Sequence, residues 1–291
     1  MRSFILGTDW GEDCDDAVAV RVLTRSHKAG KINFLGVGIN THTPYAAPSL
    51  YRFLEREDCI IPVGVDKSCP KKDWQNRYQP RLANETYKTD DDFEDAVRVY
   101  RRLISEAEGK VEIIEIGFLQ VLAGALMSEP DDISPLSGME LFKEKVRKIW
   151  IMGGKFTNQG EKEFNFSYTP FARKAASVVL EKCPCEITLS GWEVGSTVIT
   201  GNTLKKDDYL NTAMTDWGCT GGRESYDPMT AMLAVIGDEA EAGYDTVSVK
   251  VTVDLETGAN YYTPDESSNC KFVIKKFEDS FYSDMINKVI E

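Results

Sequence analysis

Short apolar runs rich in β-branched residues alternate along this chain with segments whose apolar positions recur at helical spacing. "SFILGTD" leads into "DDAVAVRVLTRSHKAG", where Ala17, Val20, Val22 and Leu23 open an amphipathic helix. "INFLGVGIN" leads into "AAPSLYRFLERED", "VEIIEIGF" into "LQVLAGALMSEP", and "VRKIWIMGG" through a loop into "PFARKAASVVLEKC". "CIIPVGV" and "CEITLSG" are two further strand candidates. Strands that alternate with helices pair in parallel through right-handed crossovers, with helices on both faces of the sheet. The pattern predicts one α/β domain over residues 1–291, doubly wound around a mostly parallel central sheet. "VSVKVTVDLETGANYYT" alternates around a "TG" turn and predicts an appended C-terminal β-hairpin. "DDDFEDAVRVYRRLI" predicts a helix with an acidic first turn. Residues 66–92 are the main irregular segment; its Trp74 and Tyr78 either cover a ligand or pack beneath the loop.

Doubly wound sheets bind ligands beyond the carboxyl ends of their strands. Those ends fall at residues 9–16, 40–45, 118–120 and 153–165, where acids and amides gather. The densest tip is "TDWGEDCDDAVAV", with Asp9, Asp13, Asp15 and Asp16 within eight positions. Carboxylates this close raise one another's pKa unless a cation offsets them. Hard oxygen ligands without histidine or thiolate suit Ca²⁺ or Mg²⁺. The bland alternative is a pair of ordinary acids, Asp15 and Asp16, in the first turn of a helix. The spacing does not fit an EF-hand loop. A phosphatase that starts with Asp after a strand would want a second Asp two positions on, and Gly11 stands there.

Charge and cysteine usage narrow the classes. A net charge of −13 disfavours polyanions, so nucleic acid is not an expected partner. Seven scattered cysteines and only two histidines make a zinc site improbable and suggest reduced thiols in a cytoplasmic protein. No leader pattern precedes the first strand and no apolar stretch reaches the length of a membrane span, so neither export nor membrane attachment is expected.

"TDWGEDCDDA" resembles the N-terminal signature of the inosine–uridine-preferring nucleoside hydrolases. Further resemblances follow in the family's order: "IEIGFLQVLAGAL", "IWIMGGKF", "EFNFSYTPFARKAA" and "SYDPMTAMLAV". An ordered series over about residues 4 to 236 is more specific than any one match. The resemblance implies Ca²⁺-dependent hydrolysis of a nucleoside or riboside, in which the ion binds water and ribose hydroxyls and an Asp takes the water's proton. It implies Asp9 as general base and metal ligand, with Asp16, Asp227 and the main-chain carbonyl of Gln120 as the other ligands. Asp15, Glu163 and Asn165 would hold ribose hydroxyls, with Asn158, Asn40 and Met152 as further substrate contacts. A homodimer or homotetramer is implied in the same way, as is a place in purine or pyrimidine salvage. Each segment also has a plain structural reading: "YDP" could be a helix start with Asp227 as N-cap and Pro228 at the first helical position.

The chain departs from the family at one chemically important place. Purine-hydrolysing members carry a proton-donating His before the last Asp, and Tyr226 stands there. A phenol is a poor acid at neutral pH but can donate a hydrogen bond or stack on a base. His42, in the turn after the second strand, is the alternative acid. Three functions stay open: a nucleoside hydrolase, a Ca²⁺ and pentose-binding protein without turnover, and a hydrolase of ribosides whose leaving groups need no acid.

Overall fold

The computed structural model describes residues 1–68 and 77–291. Trp74 and Cys69 lie outside the described residues. The strands are β1 (Arg2–Thr8), β2 (Ile32–Ile39), β3 (Val63–Val65), β4 (Glu94–Asp95), β5 (Val111–Glu115), β6 (Val146–Met152), β7 (Glu161–Lys162), β8 (Glu186–Ser190), β9 (Ile199–Thr200), β10 (Arg223–Glu224), β11 (Tyr244–Val253), β12 (Ala259–Pro264) and β13 (Cys270–Lys275). Among the described residues, eleven of them form one sheet in the order β4-β3-β2-β1-β5-β6-β8-β13-β11-β12-β7. The pairs from β4 to β13 are parallel, and those of β11 with β13, β12 with β11 and β7 with β12 are antiparallel.

The central strands read as unbroken apolar runs because helices cover both faces. Successive side chains then separate by parity. Phe4 and Leu6 of β1 pack with Val18 and Val22 of the first helix, Asp15–Lys28, on one face. Ile5 goes to the other face, with Tyr100, Ile113 and Ile149. From β1 the chain steps outward through β2, β3 and β4, then returns to place β5, β6 and β8 on β1's other side. The direction of winding therefore reverses between β1 and β5. That switch point is where a doubly wound sheet opens a crevice.

Two local features differ from the sequence expectation. The hairpin β11–β12 forms as expected, but β13 inserts between it and β8, so the hairpin continues the main sheet. The helix expected to begin with acids starts later, at Ala96. Asp90–Asp92 turn as a short 3₁₀ segment, Glu94–Asp95 extend as β4, and the Asp95 carboxylate caps the helix by accepting from the N–H groups of Val97 and Arg98. A side-chain acceptor at the N-cap satisfies two otherwise unpaired donors, which fixes the boundary there. Of the two alternatives for Tyr78 the packed one holds: it is fully buried, meets Trp10 edge-on, and donates to the Asp13 carbonyl at 3.0 Å. No described helix is long and apolar enough to cross a membrane, and the six described cysteines form no disulfide.

Candidate active site

The ends of β1, β2 and β5 are knitted together at the switch point. Asn40, just beyond β2, donates its main-chain N–H to the Thr8 carbonyl at 2.9 Å. Its side-chain oxygen accepts from the Phe118 N–H at 3.1 Å, and its amide reaches Glu115 at 3.4 Å. Gly117 lies so close to Asp9 that a Cβ there would fall 2.4 Å from the Asp9 nitrogen. Asp9 is thereby wedged at the tip of β1 by the backbone that leaves β5.

Behind Asp9 the chain turns into the first helix, whose opening residues Asp15 and Asp16 are both buried. Asp227 comes from a second helix, Tyr226–Ile236, that packs against the first. Ser225 occupies the N-cap of that helix, so Asp227 lies inside the first turn and is not the cap expected from "YDP". Its main-chain N–H donates to Asp15 at 3.1 Å. One carboxylate oxygen each from Asp15, Asp16 and Asp227 lie within 4.8 Å of one another. At an effective dielectric of about 20, each ionised pair at such a distance repels by at least about 3 kcal/mol. Three such pairs approach the whole stability of an ordinary domain. The cluster therefore stays ionised only beside a counter-charge.

The pKa directions agree with that. Burial pushes Asp16 up to about 8 against the Thr8 hydroxyl that donates to it, with Asp13 and Glu12 adding to the rise. Burial also holds Asp9, Asp15 and Asp227 well above the carboxylate range, and their acidic neighbours push the same way. One oxygen of Asp16, Oδ2, is buried without a hydrogen-bond partner among the described residues. An orphaned carboxylate oxygen in an all-oxygen cluster fits a hard dication such as Ca²⁺.

Across the crevice, a short turn that starts at Glu163 supplies the opposite wall. The Glu163 carboxylate accepts main-chain N–H groups from Asn165 at 2.8 Å, Gly154 at 2.9 Å and Phe166 at 3.2 Å. Even so, burial lifts it to about 7. Asn165 donates its amide to the carbonyls of Met152 at 3.1 Å and Ile116 at 3.4 Å, tying the ends of β6 and β5. Between the walls is a cavity of about 260 Å³. Among the described residues its lining carries seven carboxylates, Asp9, Glu12, Asp13, Asp15, Asp16, Glu163 and Asp227, and a single cationic group, Arg223. At the rim Trp192 and Tyr226 stack with ring centroids 6.2 Å apart, near Phe164.

The structure thus brings together Asp9, Asp15, Asp16, Met152, Glu163, Asn165, Tyr226 and Asp227 from the sequence reading. It does not bring Asn40, His42, Asn158 or Gln120 to the lining. Asn40 is fully buried and serves as the cross-brace between strand ends. Asn158 is exposed in the turn before β7, where its N–H donates to Glu161. His42 stays half-buried in the loop after β2, and Gln120 opens the helix that follows β5. Arg223 and Trp192 were missed, because each lies in a segment with no local motif.

A doubly wound sheet with a buried carboxylate cluster at its switch point defines the class. The profile of the inosine-uridine preferring nucleoside hydrolases matches residues 4–283, and the chain belongs to that family of enzymes. Solved structures share the fold. An inosine-uridine preferring nucleoside hydrolase from Bacillus anthracis is similar with a TM-score of 0.71 and 18% identity, over 100% of this chain and 99% of that one. An inosine-guanosine nucleoside hydrolase is similar with a TM-score of 0.71 and 17% identity, over 99% and 98%. The type III effector XopQ, in complex with adenosine diphosphate ribose, is similar with a TM-score of 0.72 and 13% identity, over 100% and 94%. No curated protein sequence matches the chain.

Proposed function

We propose that this nucleoside hydrolase cleaves the N-glycosidic bond of ribonucleosides at a Ca²⁺ site, releasing free base and ribose. The observation that carries the reading is the buried trio Asp15, Asp16 and Asp227, with its unpartnered Asp16 oxygen. Asp9, Asp16 and Asp227, which all line the cavity, would hold the ion. Bound there, Ca²⁺ would supply the charge that anchors a ribose diol and makes a water more acidic. Asp9 takes the proton of the attacking water. Asp15 and Glu163 accept from ribose hydroxyls. Both amide hydrogens of Asn165 are committed to carbonyls, so its oxygen is the group it presents to a hydroxyl. Met152 lines the sugar side, and the Trp192–Tyr226 pair offers a stacking wall for the base. A homodimeric or homotetrameric enzyme of cytoplasmic base salvage is the setting this reading suits.

The test is release of ribose from a panel of purine and pyrimidine nucleosides, with wild-type protein and Asp9→Ala, each with Ca²⁺ and with a chelator. Chelator-sensitive release that falls at least 100-fold in the variant is expected. Tyr226 in place of a proton-donating imidazole favours one second reading, a sugar-binding protein without turnover. No release from any nucleoside, beside retained ribose binding, would decide for it.

A further inference from the structure

The cleft has a cation that the sugar chemistry does not use. Arg223 stands on β10, which pairs with β9 in a small ribbon beside the rim. Its guanidinium grips Asp13 with two nitrogens, Nη2 at 2.6 Å and Nε at 3.1 Å, and reaches Glu224 through Nη1 at 2.6 Å. A guanidinium has five N–H donors, and these bonds use three, leaving two. Two-point pairing to a carboxylate fixes the plane of the fork. Asp13 is itself pinned, since its side chain accepts the Cys14 N–H and its carbonyl accepts from buried Tyr78. The ion pair thus joins two parts of the sugar site, Asp13 lying two residues before Asp15 and Arg223 four before Asp227.

Among the described residues, nothing else at the rim is suited to help a base depart. Neither histidine lines the cleft: His27 accepts the Phe34 N–H behind the sheet, and His42 stays in its loop. Tyr226 is half-buried with its ring stacked on Trp192, and a phenol is a poor acid at neutral pH. A permanent cation cannot donate a proton, but it stabilises negative charge that develops in the transition state.

We infer that Arg223, oriented by Asp13, stabilises the departing base as an anion and so activates the leaving group without a general acid. The inference rests on the hydrolase reading. The C1′–N bond breaks with its electron pair passing to the base, which rests against the free N–H groups of Arg223. The water oxygen bonds to C1′ while its proton goes to Asp9. The released base then takes a proton from solvent, and Asp9 returns its own. Asp13 is a positioning residue in this scheme.

The experiment compares kcat/KM for a natural nucleoside with that for p-nitrophenyl riboside, whose leaving group needs little help, in wild-type, Arg223→Gln and Arg223→Lys proteins. The expected result is a nucleoside-to-nitrophenyl ratio about 100-fold lower in Arg223→Gln and intermediate in Arg223→Lys, with calorimetric ribose binding kept. Equal losses on both substrates, or none, would overturn the inference by placing Arg223 in sugar binding, folding or neither. Wild-type protein that releases ribose from neither substrate would sink the hydrolase reading and this inference with it.

Discussion

Glu163 shows how one side chain can serve both fold and site. Its two oxygens accept three main-chain N–H groups, so the turn that carries Asn165 is built around it. Glu163→Gln keeps the size but aims an amide NH₂ at N–H donors. Leaving buried donors unsatisfied costs about 1–3 kcal/mol. Urea denaturation of this variant is expected to show a loss of that size, and ribose binding should weaken as well. An unchanged midpoint would mean the turn holds without the carboxylate. At this scale the sequence was most informative about the acids: Asp9, Asp15 and Asp16 stand in one short segment, and the structure keeps them together. Arg223 was invisible because its partner Asp13 lies 210 positions away and no local spacing announces a pair at that distance.

Among elements, the strand ends at the switch point decide whether the site is held. Gly117 is where backbone meets backbone, and a Cβ there would lie 2.4 Å from the Asp9 nitrogen and 2.8 Å from the Asn40 oxygen. Gly→Ala at a roomy position stabilises by about 0.4–1 kcal/mol through the unfolded chain. Overpacking against backbone costs more, about 1–3 kcal/mol. Gly117→Ala is therefore expected to lower the unfolding midpoint and to reduce kcat by more than 10-fold, since Asp9 must move; a stabilised, fully active variant would contradict this packing. The strands legible in sequence were those with apolar runs, β1, β2, β3, β5, β6 and β8, where burial on both faces leaves few polar interruptions, and the alternating hairpin β11–β12. β13 was not legible: "CKFVIK" is short, has lysines near each end, and is a strand because it pairs with both β11 and β8, the latter more than 80 residues away. Two-residue strands such as β4 and β10 carry too little pattern to be read from sequence at all.

For the whole molecule, a net charge of −13 accompanies a cleft that, among the described residues, sets seven carboxylates against one cation. Such a field attracts cations and small neutral ligands and repels free phosphates and nucleic acid. It also sets the pH behaviour. A carboxyl whose folded pKa is raised binds protons more tightly folded than unfolded, so the cluster stabilises the metal-free protein at low pH and loses that as pH rises towards Asp16's value of about 8. A dication reverses the sign, since it binds the ionised cluster and must displace protons to do so. The most direct measurement is a calorimetric titration of Ca²⁺ into chelator-stripped protein at pH 8 and at pH 5, beside Asp16→Asn. One saturable site is expected, with proton release, affinity at least 10-fold weaker at pH 5, and loss of the site in the variant. No binding at either pH, or binding that neither pH nor Asp16→Asn alters, would contradict the claim that these buried carboxylates exist to hold a dication.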